Sequence, residues 1–149
     1  MSSNKKSICI IGIGNTLRSD DGAGAYVCSL IEEKKIPVTI ITTQQLDIGM
    51  VEDLAKFDAV IFIDVAVNET QFSFQLLNTH NQQLQSSSHH INTTMLASVA
   101  KQLFATTTQF YLCAVGATHF EMGSSLSEKT KHNAVEAAAM LTKWILLNT

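Results

Sequence analysis

The chain reads as an α/β protein: a three-layer α/β/α sandwich around a mostly parallel, twisted sheet, with one edge strand whose direction the sequence leaves open between parallel and antiparallel. Three observations predict this. Short, wholly apolar runs recur at Ser7 to Ile13, Ala59 to Val65 and Phe110 to Val115, as expected of strands buried on both faces. Between them lie stretches whose apolar residues recur every three or four positions, the period of a helix with one buried face. Alternation of the two implies parallel strands joined by right-handed crossovers.

Taken in order, Ser7 to Ile13 (SICIIGI) is the first strand, ended by glycine. Ala23, Val27, Leu30 and Ile31 then make one apolar face of a helix from about Asp20 to Lys35, which Pro37 terminates. Val38 to Thr42 (VTIIT) is rich in β-branched residues and reads as the second strand, followed by a short helix from Gly49 to Phe57. Ala59 to Val65 (AVIFIDV) is the third strand. Phe72, Phe74 and Leu76 alternate with polar residues, marking an edge strand with one wet face.

Asn78 to Ser88 has no periodicity and reads as a loop. The spacing of Leu96, Val99 and Leu103 predicts a helix over Thr93 to Phe104, with Asn92 placed to cap it. Phe110 to Val115 is the last strand. Ser125 and Glu128 have the spacing of a capping box for a closing helix, whose buried stripe is Ala134, Ala138, Leu141 and Ile145.

At 149 residues, with 46% hydrophobic and 15% charged residues, the sequence is expected to form one domain over 1–149 with a substantial core. A net charge of −3 and a lone arginine, Arg18, offer no basic surface for a run of phosphates, which argues against nucleic acid as a partner. Cys9, Cys28 and Cys113 are odd in number, widely spaced and set among apolar residues, so they read as buried thiols. The polar start, Met1 to Ser7, reads as neither a signal peptide nor a membrane span, and no apolar run approaches the ~20 residues a spanning helix needs. The expected location is the cytoplasm, with no membrane partner.

Ligands of such sheets sit beyond the carboxyl ends of the strands. The first of those loops, Gly12 to Gly24 (GIGNTLRSDDGAG), starts like a dinucleotide fingerprint but has Leu17 at the third glycine position. Asp20 and Asp21 then put negative charge where a pyrophosphate needs amide donors. The plain structural reading of the two aspartates is helix capping. Asp64 is a carboxylate at the end of an otherwise apolar strand; it needs a loop hydrogen bond, a helix to cap, or a metal. His89 and His90 stand ahead of a capped helix, where one imidazole could join the two carboxylates around a divalent ion such as nickel or zinc with positions left open. No GxSxG elbow and no Cys/His pair supports a nucleophile-and-triad mechanism.

Over nearly its whole length the chain resembles the hydrogenase maturation proteases. That family has a strand followed by GxGNxxxxDD or DE and then GxG or a variant, matched here from Gly12 through Asn15, Asp20 and Asp21 to Gly24. Its second signature, a strand ending in aspartate and a small residue, is matched by Phe62-Ile63-Asp64-Val65-Ala66, and its third, Ser-x-His before a helix, by Ser87-Ser88-His89. Val115-Gly116 and Phe120-Glu121-Met122-Gly123 are similar to a late stretch of the family, read here as loop and packing structure.

The resemblance implies metal-binding positions at Asp21, Asp64 and His89, with His90 as the competing imidazole and Asp21 and Asp64 as the catalytic pair. Asp20 is then either a second carboxylate for proton handling or a cap, and Asn15 a brace for the loop. The implied activity is endopeptidase removal of a C-terminal extension from a [NiFe] hydrogenase large-subunit precursor. The nickel is carried by that precursor, and no tightly held metal is required in the free enzyme. Two other readings stay open at this level: a self-sufficient metallohydrolase holding its own zinc, and a non-catalytic nucleotide- or metabolite-binding module resting on the Gly12 to Gly14 turn.

Overall fold

Ile8–Ile13 carries no charged or hydroxyl side chain, and as strand β1 it is buried at every position. An extended segment of that composition is stable only with a strand on each side and a layer on each face. The computed structural model describes residues 5–79 and 92–149. In it β1 lies between β2 (Thr39–Thr43) and β3 (Ala59–Ala66), with β5 (Gln109–Gly116) beyond β3 and β4 (Phe72–Leu76) at the edge, giving the order β2-β1-β3-β5-β4. β1 pairs in parallel with β2 and β3, and β3 with β5. The direction left open by the sequence resolves here: β4 runs antiparallel to β5.

Alternation along the strands sorts side chains into two cores. Ile8, Ile10, Ile61, Ile63, Cys113 and Val115 pack with residues of α1 (Ala23–Glu33) and α4 (Glu128–Asn148). Cys9, Ile11, Val60, Phe62 and Phe110 pack with α2 (Val51–Leu54) and α3 (Thr93–Phe104) on the other face. The three-layer α/β/α expectation holds. All three cysteines are buried and free, and burial pushes each thiol up to about 12, so they are protonated and poor ligands.

The helices follow their local signals with two corrections. Asn92 accepts from Met95 N–H at 2.8 Å and caps α3, as its position predicts. Leu103, placed in the buried stripe by spacing, is 68% exposed; Leu96 and Val99 carry that contact. The cap of α4 is Ser127, not Ser125: Glu128 is the first helical residue, and Ser127 accepts from Thr130 N–H. The Asn78 to Ser88 loop falls mostly outside the described residues; Asn78 and Thr79 carry no regular structure.

How closely α1 meets the sheet is set by glycines. A Cβ on Gly12 would lie 2.6 Å from the Gly24 carbonyl oxygen, and one on Gly24 would lie 2.7 Å from the Ile63 oxygen and 2.8 Å from the Ile13 nitrogen. These are backbone atoms of α1 and of strands in the middle of the sheet and cannot move aside. Gly24→Ala is therefore expected to lift the start of α1 and cost about 3 kcal/mol, read as a lower urea midpoint. An unchanged midpoint would show that the contact is slack.

Candidate active site

Asp64 is the fifth residue after Ala59 in β3, and it shares the face of Val60 and Phe62. At the carboxyl end of the strand Asp64 is half-buried beside a cavity of about 230 Å³. Ile13, Leu46 and Leu112 line the same cavity, together with Asn92 and Thr93 at the start of α3. Its Oδ1 accepts from Val65 N–H at 2.8 Å. Burial pushes the Asp64 carboxyl above its ordinary value, the Val65 hydrogen bond works against this, and the neighbouring Asp21 charge adds to the rise.

Asp21 reaches Asp64 from the β1–α1 loop. Gly14, at φ +141°, turns the chain where a side chain would meet the Asp21 carbonyl oxygen. Asn15 N–H then donates to Asp21 Oδ2 at 2.6 Å, while Asn15 Oδ1 accepts from Leu17 N–H at 2.9 Å. Asn15 thus braces the loop from both its backbone and its side chain. The glycines that suggest a phosphate turn are used to pack loop and helix against the strands.

Neither aspartate caps its own helix: the 3-10 turn Ser19–Gly22 and α1 both begin without a side-chain cap. Asp20 faces away from the cavity that Asp64 lines and is fully buried. Its carboxylate accepts from Thr118 N–H (3.1 Å), His119 N–H (2.9 Å), Ser127 N–H (2.7 Å), Ser127 Oγ (2.9 Å) and Thr130 Oγ1 (2.7 Å). Burial works to raise this carboxyl, but the hydrogen bonds from Ser127, Thr130, Thr118 and His119 together hold it down at about 2. Asp20 caps α4 from a distance, and it ties the 117–119 loop to the loop that carries Asp21.

A second tie runs alongside. Ser19 N–H donates to Gly123 O and Gly123 N–H to Leu17 O, forming a parallel bridge between Arg18 and Gly123. Ser19 Oγ adds a bond to Glu121 O at 2.6 Å, which helps hold Ser19 at φ +50°. The late Phe120-to-Gly123 stretch is packing structure, as the sequence suggests, and what it packs is the aspartate loop.

Of the expected site residues, the structure brings together Asp21, Asp64 and Asn15 and turns Asp20 to a structural task. His89 and His90 lie outside the described residues. Among the described residues no group of three or more His, Cys, Asp and Glu is arranged to hold a metal. The ion pairs among the described residues leave Asp21 and Asp64 without a basic partner. Sequence reasoning did not place Gln44, Gln45 and Leu46 at the site, although Gln45 to Met50 loosely resembles the family's stretch before the second helix; they stand on the cavity wall. No helix among the described residues is long and apolar enough to cross a membrane.

No family model matches the sequence, and no curated protein matches it. Solved structures do. The chain is similar to the [NiFe] hydrogenase maturation protease HycI from Thermococcus kodakarensis KOD1, with TM-score 0.75 and 25% identity over 97% of this chain and 95% of that one. It is also similar to the hydrogenase maturating endopeptidase HybD from E. coli (TM-score 0.73, 15% identity, 95% and 93% covered). A third likeness is to the hydrogenase 2 maturation peptidase from Thaumarchaeota archaeon SCGC_AB-539-E09 (TM-score 0.69, 22% identity, 94% and 98% covered). The resemblance read from the sequence extends to the fold: this chain has the fold of the hydrogenase maturation proteases.

Proposed function

We propose that this chain is a cytoplasmic endopeptidase that removes the C-terminal extension of a [NiFe] hydrogenase large-subunit precursor after nickel insertion. The observation that carries the reading is the pair Asp21 and Asp64: two like charges held close at the carboxyl edge of the sheet, one of them half-buried, with no basic residue beside them among the described residues. Such a pair is relieved by a cation, and oxygen ligands from separate loops leave coordination positions for groups already bound to it. The fold shared with maturation proteases over nearly the full length supports the same reading.

On this proposal nickel arrives as part of the substrate. Asp21, Asp64 and an imidazole from His89, with His90 as the competitor, would hold it; in sequence His89 stands three residues before Asn92, which lines the Asp64 cavity. A cation there polarises a peptide carbonyl or acidifies a bound water. Asp64, with its carboxyl raised above the ordinary value by burial and the Asp21 charge, is suited to take up a proton. Asn15 holds Asp21 in place by its amide, and Asp20 fixes the loop from behind. The test is incubation with nickel-loaded and nickel-free large-subunit precursor, followed by mass spectrometry. Loss of a C-terminal peptide from the nickel-loaded form alone is expected; cleavage of both forms, or of neither, would reject the reading.

A further inference from the structure

On one side the sheet ends at β2, and that edge is open. Gly14 N–H donates to the Thr43 carbonyl at 3.0 Å, so Thr43 faces β1, and the period of a strand turns Ile41 and Thr39 the same way. Ile40 and Thr42 then point their N–H and C=O groups outward, where no hydrogen bond from a described residue reaches them. Such edges are normally blunted by charged side chains, proline or a bulge, and Thr39–Thr43 (TIITT), in unbroken register with β1, has none of these. We infer that β2 is a docking strand, with which an extended stretch of the precursor's C-terminal extension pairs by main-chain hydrogen bonds. The inference rests on the proposed endopeptidase reading and adds to it how the peptide to be removed is held at a distance from the cut.

The route from this edge to the carboxylates selects that occupant. Gln44, the residue after β2, lines the cavity beside Asp64 and also a second cavity of about 210 Å³ at the tip of β2. Thr42, Thr43 and, from the loop that carries Asp21, Gly14 and Thr16 line the second cavity, which has no charged residue in its wall. Thr43 Oγ1 donates to Gln45 O at 2.7 Å and fixes the turn at Gln44. A chain leaving the open edge therefore passes over hydroxyl and amide groups to reach Asp64, and main-chain groups suffice to hold it. The opposite edge, β4, contributes no residue to the Asp64 cavity. Strands lie about 4.8 Å apart, so a chain added outside β2 runs roughly 14 Å from β3, a span of about four or five extended residues. The paired stretch thus stands several residues from the scissile peptide. Before the cut the precursor belongs to the body that carries the nickel, whereas the extension is the end free to lie as a strand.

The test reads both partners. In the free chain the Ile40 and Thr42 amides should exchange with deuterium far faster than those of Ile41 and Thr43. A synthetic extension peptide, added without nickel, should slow Ile40 and Thr42 about tenfold or more at saturation. Thr42→Pro removes an outward N–H and no bond to β1, so its kcat/KM on nickel-loaded precursor should fall about tenfold. With an extension cut back to about three residues, too short to reach β2, wild type and Thr42→Pro should process equally. Should Thr42→Pro fail to melt cooperatively, proline placed in turn along the extension carries the same expectation, with losses at every second residue. Outward amides that the peptide does not slow, or processing unmoved by proline on either partner, overturn the docking strand while leaving the endopeptidase reading in place. So does slowing that follows protein concentration alone, which would mark pairing with a second copy of this chain. Failure to cleave the unaltered nickel-loaded precursor overturns both.

Discussion

Asp64→Asn is expected to abolish processing of the nickel-loaded precursor and, at neutral pH, to raise the thermal stability of the chain. The two effects share a cause. Burial and the Asp21 charge raise the Asp64 carboxyl above its ordinary 3.8, so the folded state holds that proton more tightly than the unfolded state does. The contribution of this group to stability is then fully present below 3.8 and is lost as pH rises through the elevated folded value. Above that folded value the penalty is in force. Asparagine keeps an oxygen to accept the Val65 N–H bond and removes the charge.

Activity moves the other way, because a neutral amide neither holds a cation nor takes up a proton. A loss of at least about a hundredfold is expected, with Asp21→Asn giving a comparable loss. Thermal melts at pH 7 and pH 4 check the stability half: the gain from Asp64→Asn should shrink toward the lower pH. A variant that processes normally, or one that melts below the wild type at pH 7, would show that Asp64 is a structural acceptor and not part of a site. Stability held below its maximum by a strained, charged group is the usual cost of a working site.

Asp20→Ala should do the opposite, leaving no new chemistry and much less fold. Five hydrogen bonds from Thr118, His119, Ser127 and Thr130 converge on this buried carboxylate. Removing it strands those donors, and unsatisfied buried groups cost about 1–3 kcal/mol each before relaxation. A net loss of about 3–5 kcal/mol is expected, a large part of the stability of a domain this size. Asp20→Asn, which keeps one acceptor oxygen, should lose less.

The acid limb distinguishes the two aspartates. Asp20 is depressed in the folded state, so its contribution is complete above 3.8 and is lost as pH falls from there toward about 2. Urea titrations at pH 7 and pH 3 should therefore bring wild type and Asp20→Ala closer together at the lower pH. A gap that stays constant would mean that the carboxylate contributes by shape and not by charge.

Adjacent in sequence, Asp20 and Asp21 look alike to local rules, which assign both to helix capping, and only the family resemblance separates them. The structure gives them opposite fates because a 3-10 turn, and not a regular helix start, carries them. The Asp20 carboxylate bonds Ser127 and Thr130 at the start of α4, whereas Asp21 accepts from Asn15 N–H and its charge acts on Asp64. The same limit explains the misplaced cap. A capping box pairs a serine with a carboxylate three residues on, and the Ser125 and Glu128 spacing satisfies it. In the fold the Ser127 N–H, which a glutamate within the helix would normally accept, is taken by Asp20 from more than a hundred residues away. A partner supplied by another element leaves no spacing to read.

What the sequence determined unaided was every described strand, the α/β/α layering and the buried thiols, since apolar runs and helical periods are local patterns, while Asp21 and Asp64 were singled out together through the family resemblance. Tertiary structure alone decided the antiparallel seat of β4, the burial of Asp20, the welding of the Arg18 loop to Gly123 and the apolar cavity beside Asp64. Each of these depends on which distant backbone groups and side chains meet once the sheet closes, and hydrogen bonds and burial between such distant groups leave no period in the chain that makes them.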